Sequence, residues 1–140
     1  MTFQNPSDAE IKAILLSTKR IAIVGLSDKP TRASHGVSKL MQQWGFTIVP
    51  VNPKPLDTIL GEKVYPDLAQ VPGELDLVNV FRRSEEAGAV VDAAIARGAK
   101  AIWLQLGIID EAAAERATAA GIPIVMDRCL MVEYGRLFAD

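Results

Sequence analysis

The chain has 140 residues, 49% hydrophobic and 23% charged, with 15 basic residues against 17 acidic ones and a formal net charge of −2. That length suits one domain, 1–140, whose single core needs no staples, and the charge balance argues against a nucleic-acid partner held by bulk attraction. A single cysteine, Cys129, and a single histidine, His35, exclude an internal disulfide, a cysteine-rich zinc site and a histidine cluster.

The opening residues carry no basic patch, and the first apolar cluster, over 11–16, is interrupted by Lys12 and is far too short to cross a bilayer. The expectation is a soluble, cytoplasmic protein with no membrane partner. Ser7-Asp8-Ala9-Glu10 fits a capping box, which predicts a short helix through about Leu16. Residues 20–25, Arg-Ile-Ala-Ile-Val-Gly, form a continuous apolar run of strand length, the mark of a strand covered on both faces. Val37, Leu40, Met41 and Trp44 then recur at helical spacing within 36–44, and Gly45 stands at the stop.

The alternation repeats. Strands are predicted over 46–51, 75–81, 101–104 and 122–126, with helices over 84–97, 110–120 and 130–138 between and after them. Strands and helices alternating in this way imply βαβ crossovers and a parallel sheet, so the fold class is α/β: a doubly wound, five-stranded Rossmann-like sheet with helices on both faces. Residues 62–72 resist assignment, apart from a short edge piece at Lys63-Val64-Tyr65.

Open parallel sheets bind ligands beyond the carboxyl ends of their strands. The loops there carry Lys29, Arg32, Lys54, Arg82, Arg83 and Arg128, six cations on one edge of an acidic protein, which points to an anionic ligand. In the first loop Gly25 lets the chain turn, Ser27 offers a hydroxyl and a backbone N–H, and the helix opening near 34–36 directs its positive dipole end at the same place. This is not the G-x-G-x-x-G dinucleotide fingerprint, because Ser27 replaces the second glycine and the loop is longer. After the second strand, Asn52-Pro53-Lys54-Pro55 has no carboxylate to hold a free ribose hydroxyl; a lysine suits a phosphorylated ribose. The 3′-phosphate and diphosphate of coenzyme A match this pattern, and NADP, with its 2′-phosphate, stays open on the same argument.

Val24-Gly25-Leu26-Ser27-Asp28-Lys29-Pro30, Gly45-Phe46 and Val51-Asn52-Pro53-Lys54 resemble the small stand-alone CoA-binding domain proteins, which are similar in fold to the N-terminal domain of the succinyl-CoA synthetase α subunit. The resemblance spans nearly the whole chain and implies CoA or an acyl-CoA as ligand. It implies that Gly25, Ser27, Asp28 and Lys29 meet the diphosphate; Arg32, in the same loop, joins the expected binding residues on its charge. In the turn after the second strand, Asn52 to Lys54, it implies that Pro53 and Lys54 flank the adenosine phosphate, while Phe81, Arg82, Gln105 and Gly107 line the rest. No segment corresponds to the synthetase's phosphorylated histidine, so ligase activity is not implied.

Other chemistry-bearing residues have plainer readings. His35 reads as a helix-start residue donating to a phosphate or to water, with a catalytic base oriented by Asp28 as its alternative, and Cys129 as a small buried hydrophobe, with a mixed disulfide to the CoA thiol as its alternative. Trp44 and Trp103 read as core packing, Glu85 and Glu86 as compensation of a helix dipole, and the alanine-rich helices as close packers on the sheet, with a dimer face open. No nucleophile–base pair, metal constellation or substrate domain is legible. The sequence therefore favours a non-catalytic binding or regulatory module, with a small NADP-linked oxidoreductase or a CoA-transferring enzyme as the alternative, and with a homodimer or a protein partner left open.

Overall fold

The computed structural model describes residues 3–139. Five strands make one sheet: β1 (Arg20–Val24), β2 (Thr47–Val51), β5 (Leu77–Val80), β6 (Ile102–Leu104) and β7 (Ile124–Val125), in the order β2-β1-β5-β6-β7 with every pair parallel. Five helices accompany them: α1 (Asp8–Ser17), α2 (Ala33–Gln43), α3 (Ser84–Ala96), α4 (Glu111–Ala119) and α5 (Leu130–Phe138). The Rossmann-like α/β architecture expected from the alternation is therefore present.

Period-two alternation sorts each strand's side chains onto two cores. Ala22 and Val24, Val49 and Val51, Val78 and Val80, and Ile102 and Leu104 face α3 and α4, which meet the sheet through Ala87, Val91 and Ala94 and through Ala113, Ala114 and Ala117. Fully buried alanines let these helices lie close to the sheet. On the other face Ile21, Ile23, Ile48, Leu77, Trp103 and Val125 meet Ile11 and Leu15 of α1, Val37 and Met41 of α2, and Leu130 of α5. Trp103 is fully buried, and its Nε1 donates to the Arg128 carbonyl at 2.8 Å, so the polar edge of the ring is satisfied.

Trp44 departs from its expected role. It caps the C-terminus of α2, is 40% exposed, and stacks on Tyr134 with ring centroids 4.9 Å apart. The capping box at Ser7 and Glu10 forms as read. The α1 and α5 helices are further joined by Arg136, which donates to both carboxylate oxygens of Asp8, at 2.8 and 2.9 Å, and to Glu133 at 3.0 Å.

The stretch between β2 and β5 contains more order than the sequence suggested. A two-residue hairpin pairs β3 (Thr58–Ile59) with β4 (Glu62–Lys63), its turn placing Leu60 at φ 53°. Tyr65 then bridges Val51 in parallel, so the expected edge piece does extend the sheet beside β2, and a 3-10 turn, Leu68–Gln70, follows with Asp67 as its cap. Pro50 is tolerated inside β2 because its position faces away from β1, so no bond of that ladder is lost, and its carbonyl accepts Tyr65 N–H at 3.0 Å. Among the described residues no helix is long and apolar enough to cross a membrane.

Candidate functional site

The order β2-β1-β5 means that successive connections leave β1 in opposite directions, so the carboxyl ends of β1 and β5 flank a crevice. Gly25 closes β1 there. Its φ is +91°, and a Cβ at this position would fall 2.6 Å from the Phe81 carbonyl oxygen, so only glycine lets the two strand ends approach so closely. Hydrogen bonds hold the turn from both sides: Gly25 N–H donates to the Val51 carbonyl at 2.9 Å, and Phe81 N–H to the Val24 carbonyl at 2.8 Å.

A cavity of about 370 Å³ opens at this crevice, lined by Gly25, Ser27, Lys29, Arg32, Ala33 and Ser34 from the first loop and helix, by Asn52, Pro53 and Lys54, and by Phe81 and Arg82. Lys29, Arg32, Lys54 and Arg82 thus come together from three loops, and among the described residues none of them forms an ion pair with a carboxylate. The α2 helix starts at Ala33, slightly earlier than expected, with Arg32 at the N-cap position and no side chain capping it. Its first amides and positive dipole end therefore face the same cavity.

Two hydrogen-bond systems shape the loops. Ser27 N–H donates to Ser34 Oγ and Lys29 N–H to Ser27 Oγ, both at 3.0 Å. The Ser27 amide expected to reach a ligand is thus already engaged, while its hydroxyl proton remains available. Asn52 Nδ2 donates to the Leu26 carbonyl at 2.9 Å, and Asn52 Oδ1 accepts Lys54 N–H at 3.0 Å. Asn52 lines the cavity, yet its amide works as a strut that sets the second loop against the first.

Two further cavities adjoin the first, and Arg82 lines all three. One, about 260 Å³, lies between Val51, Pro53, Pro66, Leu68 and Val90. The other, about 600 Å³, runs from Phe81 past Ala33 and Val37 to Gln105, Leu106, Gly107, Ile108 and Cys129. Within it Gln105 Oε1 accepts Leu130 N–H at 2.9 Å, the tertiary cap of α5, and Gly107 N–H donates to Asp127 Oδ1 at 2.7 Å. Asp127 adopts φ 59°, a left-handed conformation unusual for a residue with a side chain.

Several residues read as part of the site stand elsewhere. Asp28 is exposed and lines none of these cavities, and neither does His35 in the first turn of α2. Arg83 is neutralised by Glu86 at 2.9 Å and Glu85 at 3.6 Å, and Arg128 by Glu133 at 2.7 Å, so two of the six edge cations are spent within the protein. Cys129 is half-buried on a cavity wall instead of enclosed in the core. Sequence reasoning directed the helix start near 34–36 at the site but did not name Ala33 or Ser34 among the site residues. It also passed over Pro66, Leu68 and Val90, whose grouping depends on the unassigned stretch after β4 and on which face of α3 turns inward.

A five-stranded parallel sheet with helices on both faces and a crevice at its switch point is a Rossmann-like α/β domain. Within that class the chain is a member of the CoA binding domain family, whose model matches residues 19–135. It is 47% identical over 131 residues to the uncharacterized protein YneT of Bacillus subtilis (strain 168), covering 94% of this chain and 96% of that one. Solved structures with the same fold include a hypothetical protein from Pyrococcus horikoshii OT3, with TM-score 0.90, 36% identity and coverage of 99% of this chain and 100% of that one. A protein from Thermus thermophilus, cell-free ID.343, matches with TM-score 0.90 and 34% identity, covering 95% of this chain and 100% of that chain.

Proposed function

We propose that this chain binds coenzyme A along the three adjoining cavities and acts as a binding module. The observation that carries the reading is the convergence of Lys29, Arg32, Lys54 and Arg82, free of carboxylate partners among the described residues, on one cavity at the uncapped start of α2. Unpaired cations and free amides in a shared concavity stabilise phosphate oxygens through charge-assisted hydrogen bonds. In this reading the diphosphate lies between the Gly25–Arg32 loop and Arg82, and Lys54 meets the ribose 3′-phosphate. The adenine enters the apolar cavity between Pro53, Pro66 and Val90, and the pantetheine arm passes Phe81 and Arg82 towards Gln105 and Gly107.

Support for a module over an enzyme comes from the crevice itself. Beside cations, amides and apolar side chains, its walls carry the Cys129 thiol, the Glu85 carboxylate and the Ser27, Ser34 and Ser84 hydroxyls. Among the described residues of these walls no hydrogen bond pairs a nucleophile with a base, and His35, the one imidazole, lies off them. Titration calorimetry of the full chain with CoA and with NADP⁺ tests the reading. CoA is expected to bind with one-to-one stoichiometry and to be preferred over NADP⁺. Tighter binding of NADP⁺ would overturn it in favour of a nicotinamide protein.

A further inference from the structure

We infer that the 600 Å³ cavity beyond Phe81 is a subsite for an uncharged, apolar acyl group, so that the preferred ligand is a short-chain acyl thioester of CoA and not the free thiol; this rests on the CoA reading. The character of the crevice changes across Phe81. On the phosphate side the walls carry four unpaired cations. On the far side Val37, Leu106, Ile108 and Cys129 form an apolar stretch of wall, Arg82 stands at the junction, and Arg83 is engaged by Glu85 and Glu86 in an exposed ion pair.

Several polar groups on the far side are engaged within the protein. Gln105 Oε1 caps α5, Gly107 N–H is held by Asp127, and Ser84 Oγ accepts Ile109 N–H at 3.0 Å. Beyond Arg82, with Arg83 paired and these polar groups engaged, the wall offers a second carboxylate few partners to offset its desolvation. It does favour methylenes. Leu106 is 70% exposed and Ile109 is 49% exposed on the loop after β6. Because Ser84 and Asp127 tie that loop down, the exposure of Leu106 is imposed by the backbone. An acyl chain leaving the thiol end of the pantetheine arm would cover this apolar wall, through a cavity continuous with the phosphate cavity by way of Ala33, Phe81 and Arg82.

Calorimetric titration of the full chain with CoA, butyryl-CoA, hexanoyl-CoA and succinyl-CoA tests the inference. Each methylene fully removed from water tightens binding about fourfold, the equivalent of about 0.8 kcal/mol. In a groove that stays partly open, butyryl-CoA is expected to bind about tenfold tighter than CoA, hexanoyl-CoA at least as tightly as butyryl-CoA, and succinyl-CoA no tighter than CoA. Leu106→Ser is expected to cut the butyryl advantage several-fold, with an unchanged circular dichroism spectrum. CoA binding with no gain for butyryl-CoA, or a tightest fit for succinyl-CoA, would overturn the acyl subsite and leave the CoA reading standing. An undiminished butyryl advantage in Leu106→Ser would place the chain outside this cavity and overturn it too. No binding of any of the four would overturn both readings together.

Discussion

Gly25→Ala is the substitution for which the structure fixes an outcome most tightly. Two costs add. The residue sits at φ +91°, where a Cβ costs about 1–2 kcal/mol. That Cβ would also lie 2.6 Å from a backbone oxygen, that of Phe81, and neither chain can step aside freely. Gly25 is held to Val51 on one flank and Phe81 to Val24 on the other, so relief means parting β1 from β5 at the crevice. Forced displacement in a packed region typically costs another 1–3 kcal/mol, giving a total of about 3 kcal/mol. For a chain of this size that lowers Tm by about 10 °C. Gly98→Ala supplies the control, since Gly98 has φ +68° but no atom within 4 Å of its hypothetical Cβ, and should lose only about 1 kcal/mol. Urea unfolding of both variants beside the parent separates the shared backbone strain from the close approach. Equal losses in the two variants would refute the argument that the crevice demands a glycine for space.

Further outcomes follow from the ion pairs, the nucleotide end and the core. Glu133 is almost fully buried, and hydrogen bonding from Arg136 holds its carboxyl below the ordinary value of 4.5, burial opposing and Arg128 adding to the effect. A folded pKa below the unfolded one gives stability that is present above about pH 4.5 and lost as pH falls through the folded value. Glu133→Gln should therefore cost about 2 kcal/mol at pH 7 and flatten the fall in the urea midpoint as pH drops below about 4.5; a variant curve parallel to the parent's would contradict this. Lys54 is exposed, so its contact with the ribose phosphate should contribute about 1 kcal/mol. The parent should accordingly prefer CoA to dephospho-CoA about fivefold in calorimetry, and Lys54→Ala should abolish the preference; a preference surviving in the variant would move the phosphate elsewhere. Trp103→Ala should cost about 3–5 kcal/mol against about 1 kcal/mol for Trp44→Ala, measured by urea unfolding, because one ring fills the core and the other is a half-exposed stack. Similar losses would show that the stack with Tyr134 is more than a surface feature.

The five main strands were legible because each is largely buried on both faces and reads as a mostly apolar run; Ile21 to Val24 contains no polar residue, and β5 is interrupted only by the buried Asn79. The helices were legible from their spacing and stops. The β3–β4 hairpin was not, because two-residue strands are too short to show a period and Leu60 gives no sign of its left-handed turn. In the site, chain topology alone placed Lys29, Arg32, Lys54 and Arg82 on one edge, and the structure draws them around one cavity. What sequence could not show is competition for the same groups. Arg128 turns to Glu133 on the next helix turn, and the Ser27 amide turns to Ser34 seven residues on. Trp44 has core-like spacing, yet as the C-cap of α2 it projects beyond the packed face. These are tertiary choices between partners of similar chemistry, and no local pattern distinguishes them.

Arg82 lines all three cavities and forms no ion pair among the described residues, so it offers the sharpest single test of CoA bound along this crevice. The measurement is the dissociation constant of CoA for Arg82→Gln beside that of the parent, with the urea midpoint recorded for both. A hydrogen bond to a charged group contributes about 1.5–3 kcal/mol, so affinity should fall at least tenfold while the midpoint stays within experimental error. Undiminished affinity in a fully folded variant would contradict the account.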